Sequence, residues 1–97
     1  MNNMNSDSNV TILDVRSPAE YQEAHVSGAI NLPLDNFEAE LSKLKLDSGQ
    51  RIVVYCKTGM RSGQALRYLQ SRSYSNSING ISALGVADLT GRPIVKT

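Results

Sequence analysis

The sequence is poor in several things at once. In 97 residues it has one cysteine, one phenylalanine, three prolines and no tryptophan. A single cysteine excludes an intramolecular disulfide and a cysteine-rich zinc site. No apolar run approaches the ~18 residues that a membrane span needs, so no membrane partner is expected. Neither charge dominates: ten Lys and Arg face nine Asp and Glu, a formal charge of +1. Nucleic-acid binders usually carry a basic excess, so that class is set aside. Met1 to Asn9 is polar and lacks the basic and apolar segments of a signal peptide. As it stands the chain is expected to be cytoplasmic.

The length suits one domain. We expect a flexible tail over residues 1–9, a single domain over 10–97, and a monomer. Val10 to Val15 is β-branched and apolar, which predicts a buried strand. Ser17-Pro18-Ala19-Glu20 predicts a capping-box start for a short helix through about Ala24. Ala29 to Leu32 reads as a second strand, stopped by Pro33. Asp35-Asn36-Phe37-Glu38 repeats the cap signal, and Leu34, Phe37, Leu41 and Leu44 follow at helical spacing. Arg51 to Tyr55 has no polar alternation, as befits a parallel strand covered on both faces. A helix over about 61–71 carries Ala65, Leu66 and Leu69 on its apolar stripe. Ser77 to Asn79 suggests a last short strand and Ile81 to Leu89 a short helix, with an irregular tail from Thr90. Strands alternating with helices predict an α/β fold, a parallel sheet with helices on its faces. Such sheets bind ligands beyond the carboxyl ends of their strands.

Cys56 stands at such an end. The segment Cys56-Lys57-Thr58-Gly59-Met60-Arg61-Ser62 leads from the third strand towards a helix. A loop entering a helix N-terminus turns backbone N–H groups inward. Gly59 allows a left-handed turn within it. Lys57 and Arg61 place two cations near the thiol. Helix N-termini and cations both lower a thiol pKa, and the thiolate is the nucleophile. A cysteine closing a buried strand is more often a small packing residue. The polar, cationic, glycine-bearing continuation favours a reactive thiol instead.

At this point the chain resembles the rhodanese family. Leu13 to Tyr21 is similar to the opening motif of rhodanese domains. His25 to Pro33 is similar to their second motif, and Cys56 to Arg61 to their six-residue active-site loop. The short chain most resembles the compact single-domain sulfurtransferases of the bacterial phage-shock protein E kind, and this resemblance implies a periplasmic protein if a signal peptide has been removed. The resemblance implies a parallel sheet of four to five strands with helices on both faces. With nine residues ahead of Val10, the family's first strand and helix are expected to be reduced or missing here. The family's Gly-Gly and following Trp are replaced by Asn79-Gly80-Ile81 with no Trp.

The resemblance also implies a mechanism. Cys56 takes a sulfane sulfur from a small anionic donor such as thiosulfate. The backbone from Lys57 to Ser62, through Thr58, Gly59, Met60 and Arg61, binds the substrate and the persulfide. A thiol or cyanide accepts the sulfur. No metal or cofactor is expected. Related cell-cycle phosphatases have one residue more between Cys and Arg, so a phosphatase or arsenate reductase ranks lower. A persulfide carrier that turns over thiosulfate poorly is the main alternative, and a redox-sensing thiol lacks a second Cys to resolve it.

The remaining conspicuous residues read as structural. Arg16 is expected to pair with Glu20 and hold the first helix, while Asp14 accepts loop N–H bonds. The capping role of Glu20 competes with that pair. His25 matches a family position that serves structure. Tyr21 and Tyr68 read as packing residues with a polar tip. Met60 reads equally as an apolar lip of the loop or as a spare surface methionine, and Asn76, Ser77 and Asn79 read as turn formers.

Overall fold

A computed structural model describes residues 10–96, so the expected tail over 1–9 lies outside the described residues. In chain order the strands are β1 (Thr11–Asp14), β2 (Ala24–Val26), β3 (Ile30–Asn31), β4 (Ile52–Cys56), β5 (Ser77–Ser82) and β6 (Ile94–Lys96). The helices are α1 (Pro18–Glu23), α2 (Phe37–Leu44), α3 (Met60–Ser71) and α4 (Ala83–Thr90), with a 3-10 turn over Leu34–Asn36. β3, β1, β4 and β5 lie side by side in that order, and every pairing is parallel. Among the described residues no strand precedes β1, and β3 and β5 form the edges of this sheet.

β4 explains why the sheet is covered on both faces. All five of its residues are buried. Ile52, Val54 and Cys56 join Leu13, Val15, Leu41, Ala65 and Leu69 in the core beneath α2 and α3. Val53 and Tyr55 point the other way, with Ile12, Val26 and Val86, towards α1 and α4. Side chains alternate along a strand, so a run without polar alternation fills two cores at once. The stripe expected on α3 is the one that packs: Ala65 and Leu69 are buried and Leu66 lies against them, while Gln64, Arg67 and Gln70 are exposed. Truncating the fully buried Leu69 to Ala should cost about 2–5 kcal/mol.

Three expectations need correction. The chain beyond Thr90 is not irregular throughout, because β6 pairs antiparallel with β2. Neither strand is longer than three residues. Strands so short carry no periodic signal, and they find each other only through the tertiary fold. Ser77 and Asn79 are strand residues of β5 rather than turn formers. The cap expected from Asp35 and Asn36 does not form. Asn36 makes no side-chain cap bond, and the chain from Pro33 closes into the 3-10 turn through Asn36 N–H to the Pro33 carbonyl at 3.2 Å. The capping box on α1 does form, with Glu20 N–H donating to Ser17 Oγ at 3.2 Å and Ser17 N–H donating to Glu20 Oε1 at 3.0 Å.

Candidate active site

Cys56 is the last residue of β4, one of the two interior strands, and the chain turns at once through Lys57, Thr58 and Gly59 into α3. Gly59 has φ 97°, in the left-handed region. A Cβ added there would stand 3.2 Å from Ile81 Cγ2, so both dihedral and space call for glycine. The turn brings the Gly59 N–H to 3.0 Å from Cys56 Sγ. Ser62, buried on the first turn of α3, sets its Oγ 3.4 Å from the same sulfur.

Burial pushes the Cys56 thiol up. Hydrogen bonding from the Ser62 side chain, and then from the amides of Ser62, Gly59 and Thr58, outweighs it and holds the thiol down at about 7. Expected cations give way here to oriented dipoles as the leading causes. Lys57 and Thr58 are exposed, and Met60, the first residue of α3, stands 76% exposed.

Arg61 is not a free cation. Its Nη1 donates to Glu20 Oε1 at 2.9 Å and its Nη2 to Glu20 Oε2 at 3.1 Å. The expected Arg16–Glu20 pair is therefore wrong. Asp14 is fully buried at the end of β1, and a buried carboxylate needs a partner. Arg16, two residues on, folds back onto it with Nη2–Oδ2 at 2.7 Å, and its own N–H donates to Asp14 Oδ1 at 2.9 Å. The same guanidinium donates to the Ala24 carbonyl at 2.6 Å. Arg16 is thus committed, and Glu20 faces Arg61 while still closing its capping box. The Arg61 bonds are the main reason that the Glu20 carboxyl is lowered to about 2; burial opposes them, and Ser17 adds to them. A small cleft beside the pair is lined by Arg16, Ser17, Asp35 and Arg61.

These features lie within a recognisable sequence. The family model of the rhodanese-like domain matches residues 1–87. The chain belongs to the rhodanese-like domain family. The thiosulfate sulfurtransferase PspE of Escherichia coli is 39% identical over 67 residues, covering 69% of this chain and 64% of PspE. A thiosulfate:glutathione sulfurtransferase of Saccharomyces cerevisiae is 37% identical over 82 residues, covering 73% of this chain and 59% of that protein. The chain thus spans less than two thirds of either relative. Among solved structures, a rhodanese with anions from E. coli superposes with a TM-score of 0.79 at 34% identity, covering 91% of this chain and 99% of that one.

Other conspicuous residues of this rhodanese domain make contacts elsewhere in the fold. His25 sits in β2 with its ring stacked on Tyr21 at 3.8 Å. Its Nδ1 lies 2.8 Å from the Tyr21 carbonyl, which can only accept, so Nδ1 carries the proton. The next residue, Val26, donates its N–H to the hydroxyl of Tyr55, whose side chain faces away from the Cys56 side of the sheet. Tyr21 packs as expected and donates to the Ala29 carbonyl at 2.7 Å. Tyr68 meets Phe37 edge to face.

The residue that the sequence reading missed is Asn79. Its Nδ2 donates to the Gly59 carbonyl at 3.1 Å, and its Oδ1 accepts from Ser62 Oγ at 2.7 Å and from Ile81 N–H at 2.9 Å. The signal was the departure from the family pattern. Where rhodanese domains carry a second glycine, Ile81 takes φ 76°, strained for a β-branched residue. β5 bulges there: Val54 faces Asn79 and Tyr55 faces Ile81.

Proposed function

We propose that this protein is a sulfurtransferase that takes the outer sulfur of thiosulfate as a persulfide on Cys56. The observation that carries the reading is the surroundings of the sulfur: Gly59 N–H at 3.0 Å, Ser62 Oγ at 3.4 Å, and a thiol held at about 7. A sulfur set among donors is prepared to be an anion, and an anionic sulfur is a strong nucleophile. The donor named for both sulfurtransferase relatives supports thiosulfate.

The step is a double displacement. The Cys56 thiolate attacks the outer sulfur of thiosulfate and forms a new S–S bond. The S–S bond of thiosulfate breaks, and its electron pair leaves on sulfite. Charge is conserved, because the persulfide keeps one negative charge and sulfite carries two. A thiolate or cyanide then attacks the outer sulfur, and the Cys56 sulfur departs as thiolate. Loop amides stabilise the persulfide, and Lys57 and Arg61 draw the dianionic donor. Arg61 does so while tied to Glu20, which fixes where its charge lies.

The compact loop favours this reaction over phosphoryl transfer, because one sulfur needs less room than a tetrahedral phosphoryl group. Steady-state assay with thiosulfate and cyanide tests the reading. Turnover to thiocyanate that vanishes in Cys56→Ser supports it. A protein that loads sulfur once and fails to turn over would be a carrier. No loading and no turnover in folded protein would refute both readings.

A further inference from the structure

Asn79 lies on the neighbouring strand, yet it bonds the loop and the first turn of α3. Its orientation is determined. The Gly59 carbonyl can only accept and the Ile81 amide can only donate, so a flipped side chain would set like atoms against both. Oδ1 therefore faces Ser62, and Ser62 is the donor in the 2.7 Å bond. A hydroxyl has one proton. The same oxygen stands 3.4 Å from Cys56 Sγ, so Asn79 and the sulfur compete for that proton. While the sulfur is neutral, the shorter bond to Asn79 wins. An anionic sulfur draws the proton, because hydrogen bonds to charged acceptors are the stronger ones.

We propose that Asn79 is a positioning residue that holds the Ser62 hydroxyl proton in reserve and yields it to the Cys56 sulfur when that sulfur becomes anionic. The proton stays on the Ser62 oxygen throughout, and only its direction changes. It points to sulfur in the free thiolate. In the persulfide the inner sulfur is uncharged, and the proton returns to Asn79. When an acceptor removes the outer sulfur, the electron pair comes back to Sγ and the hydroxyl turns to meet it. The hydroxyl thus stabilises the leaving thiolate of the second step without holding the inner sulfur of the persulfide. The strained Ile81 fits this role, since its N–H is the second donor that fixes Oδ1 in place. Of the charged groups around the sulfur, Lys57 is the next residue of the loop, and Arg61 of α3 interacts with Cys56 electrostatically while tied to Glu20 of α1.

The inference rests on reading Cys56 as the sulfur-bearing thiol, but its test requires no sulfur transfer. The probe is iodoacetamide, and the readout is the pH midpoint of Cys56 alkylation. Two double-mutant cycles pair Ser62→Ala with Asn79→Ala and with Asn79→Asp. Removing the acceptor leaves the proton to sulfur. Asn79→Ala should therefore lower the midpoint further when Ser62 is present than in the Ser62→Ala background, by about half a pH unit. A carboxylate competes harder for the proton, so Asn79→Asp should couple with the opposite sign. A site that Asn79 merely props in shape has no reason to reverse sign. Additive cycles, or couplings of one sign, overturn the proposal. If Asn79→Ala fails to fold, the Asn79→Asp cycle decides alone: a carboxylate keeps the bonds from Ser62 and Ile81, and the loss of the bond to the Gly59 carbonyl is common to both Ser62 backgrounds and cancels in the cycle. Absent coupling with normal persulfide formation refutes this inference only. Coupling without persulfide formation upholds it and refutes the enzyme reading.

Discussion

The carboxylate of Glu20 grips the guanidinium of Arg61 at two points, at 2.9 and 3.1 Å. The grip ties the capped start of α1 to the first turn of α3, beside the sulfur. One residue therefore does two things, closing a helix end and fixing a cation of the candidate site.

Acid should undo this grip in a defined window. The Glu20 carboxyl is lowered to about 2, chiefly by Arg61. A lowered carboxyl pKa contributes stability that is present above the ordinary carboxylate range and lost as pH falls towards the folded value. Both side chains are about a third exposed, 31% for Glu20 and 37% for Arg61, so screening trims the contribution to about 1 kcal/mol. Urea melts should show wild type above Glu20→Gln by that amount at neutral pH. The gap should close between about pH 5 and pH 2. A gap independent of pH would contradict the assignment.

Arg61→Ala should lower kcat/KM for thiosulfate by roughly tenfold to a hundredfold, or ~1.4–2.7 kcal/mol. Part of that loss comes from the Glu20 carboxylate, left unpaired where the anionic donor approaches. Adding Glu20→Gln to Arg61→Ala should therefore recover some of the activity. Full activity in Arg61→Ala would remove Arg61 from the site.

Alkylation of wild-type Cys56 across pH should follow one titration, since there is one cysteine. Its midpoint should lie near 7, the value to which hydrogen bonding from Ser62, Gly59 and Thr58 holds the thiol against burial. A midpoint at or above the free-thiol value of about 8.5 would make Cys56 a packing residue.

Ile81→Gly should be neutral or stabilising by up to about 1 kcal/mol. Glycine relieves the left-handed backbone, at the cost of its own entropy and a half-exposed apolar contact. A loss above about 1 kcal/mol in chemical denaturation would show that packing on Gly59 outweighs the strain.

Much of this was legible in the residues themselves. The unbroken apolar run of β4, the Ser17–Glu20 capping box and the Cys56 loop carry local signals that survive into the fold. What stayed hidden depends on partners distant in sequence. Glu20 could pair with Arg16 by helical proximity, and only the burial of Asp14 decides that Arg16 is taken. β2 and β6 are separated by most of the described chain. Asn79 looks like a turn residue until the bulge in β5 turns its amide onto Ser62 and Gly59.

The central claim is that Cys56 carries sulfur, and intact mass tests it most directly. Folded protein incubated with thiosulfate should gain one sulfur atom, about 32 Da, lose it to cyanide, and show no gain in Cys56→Ser. An unchanged mass across a range of donor concentrations would contradict the account.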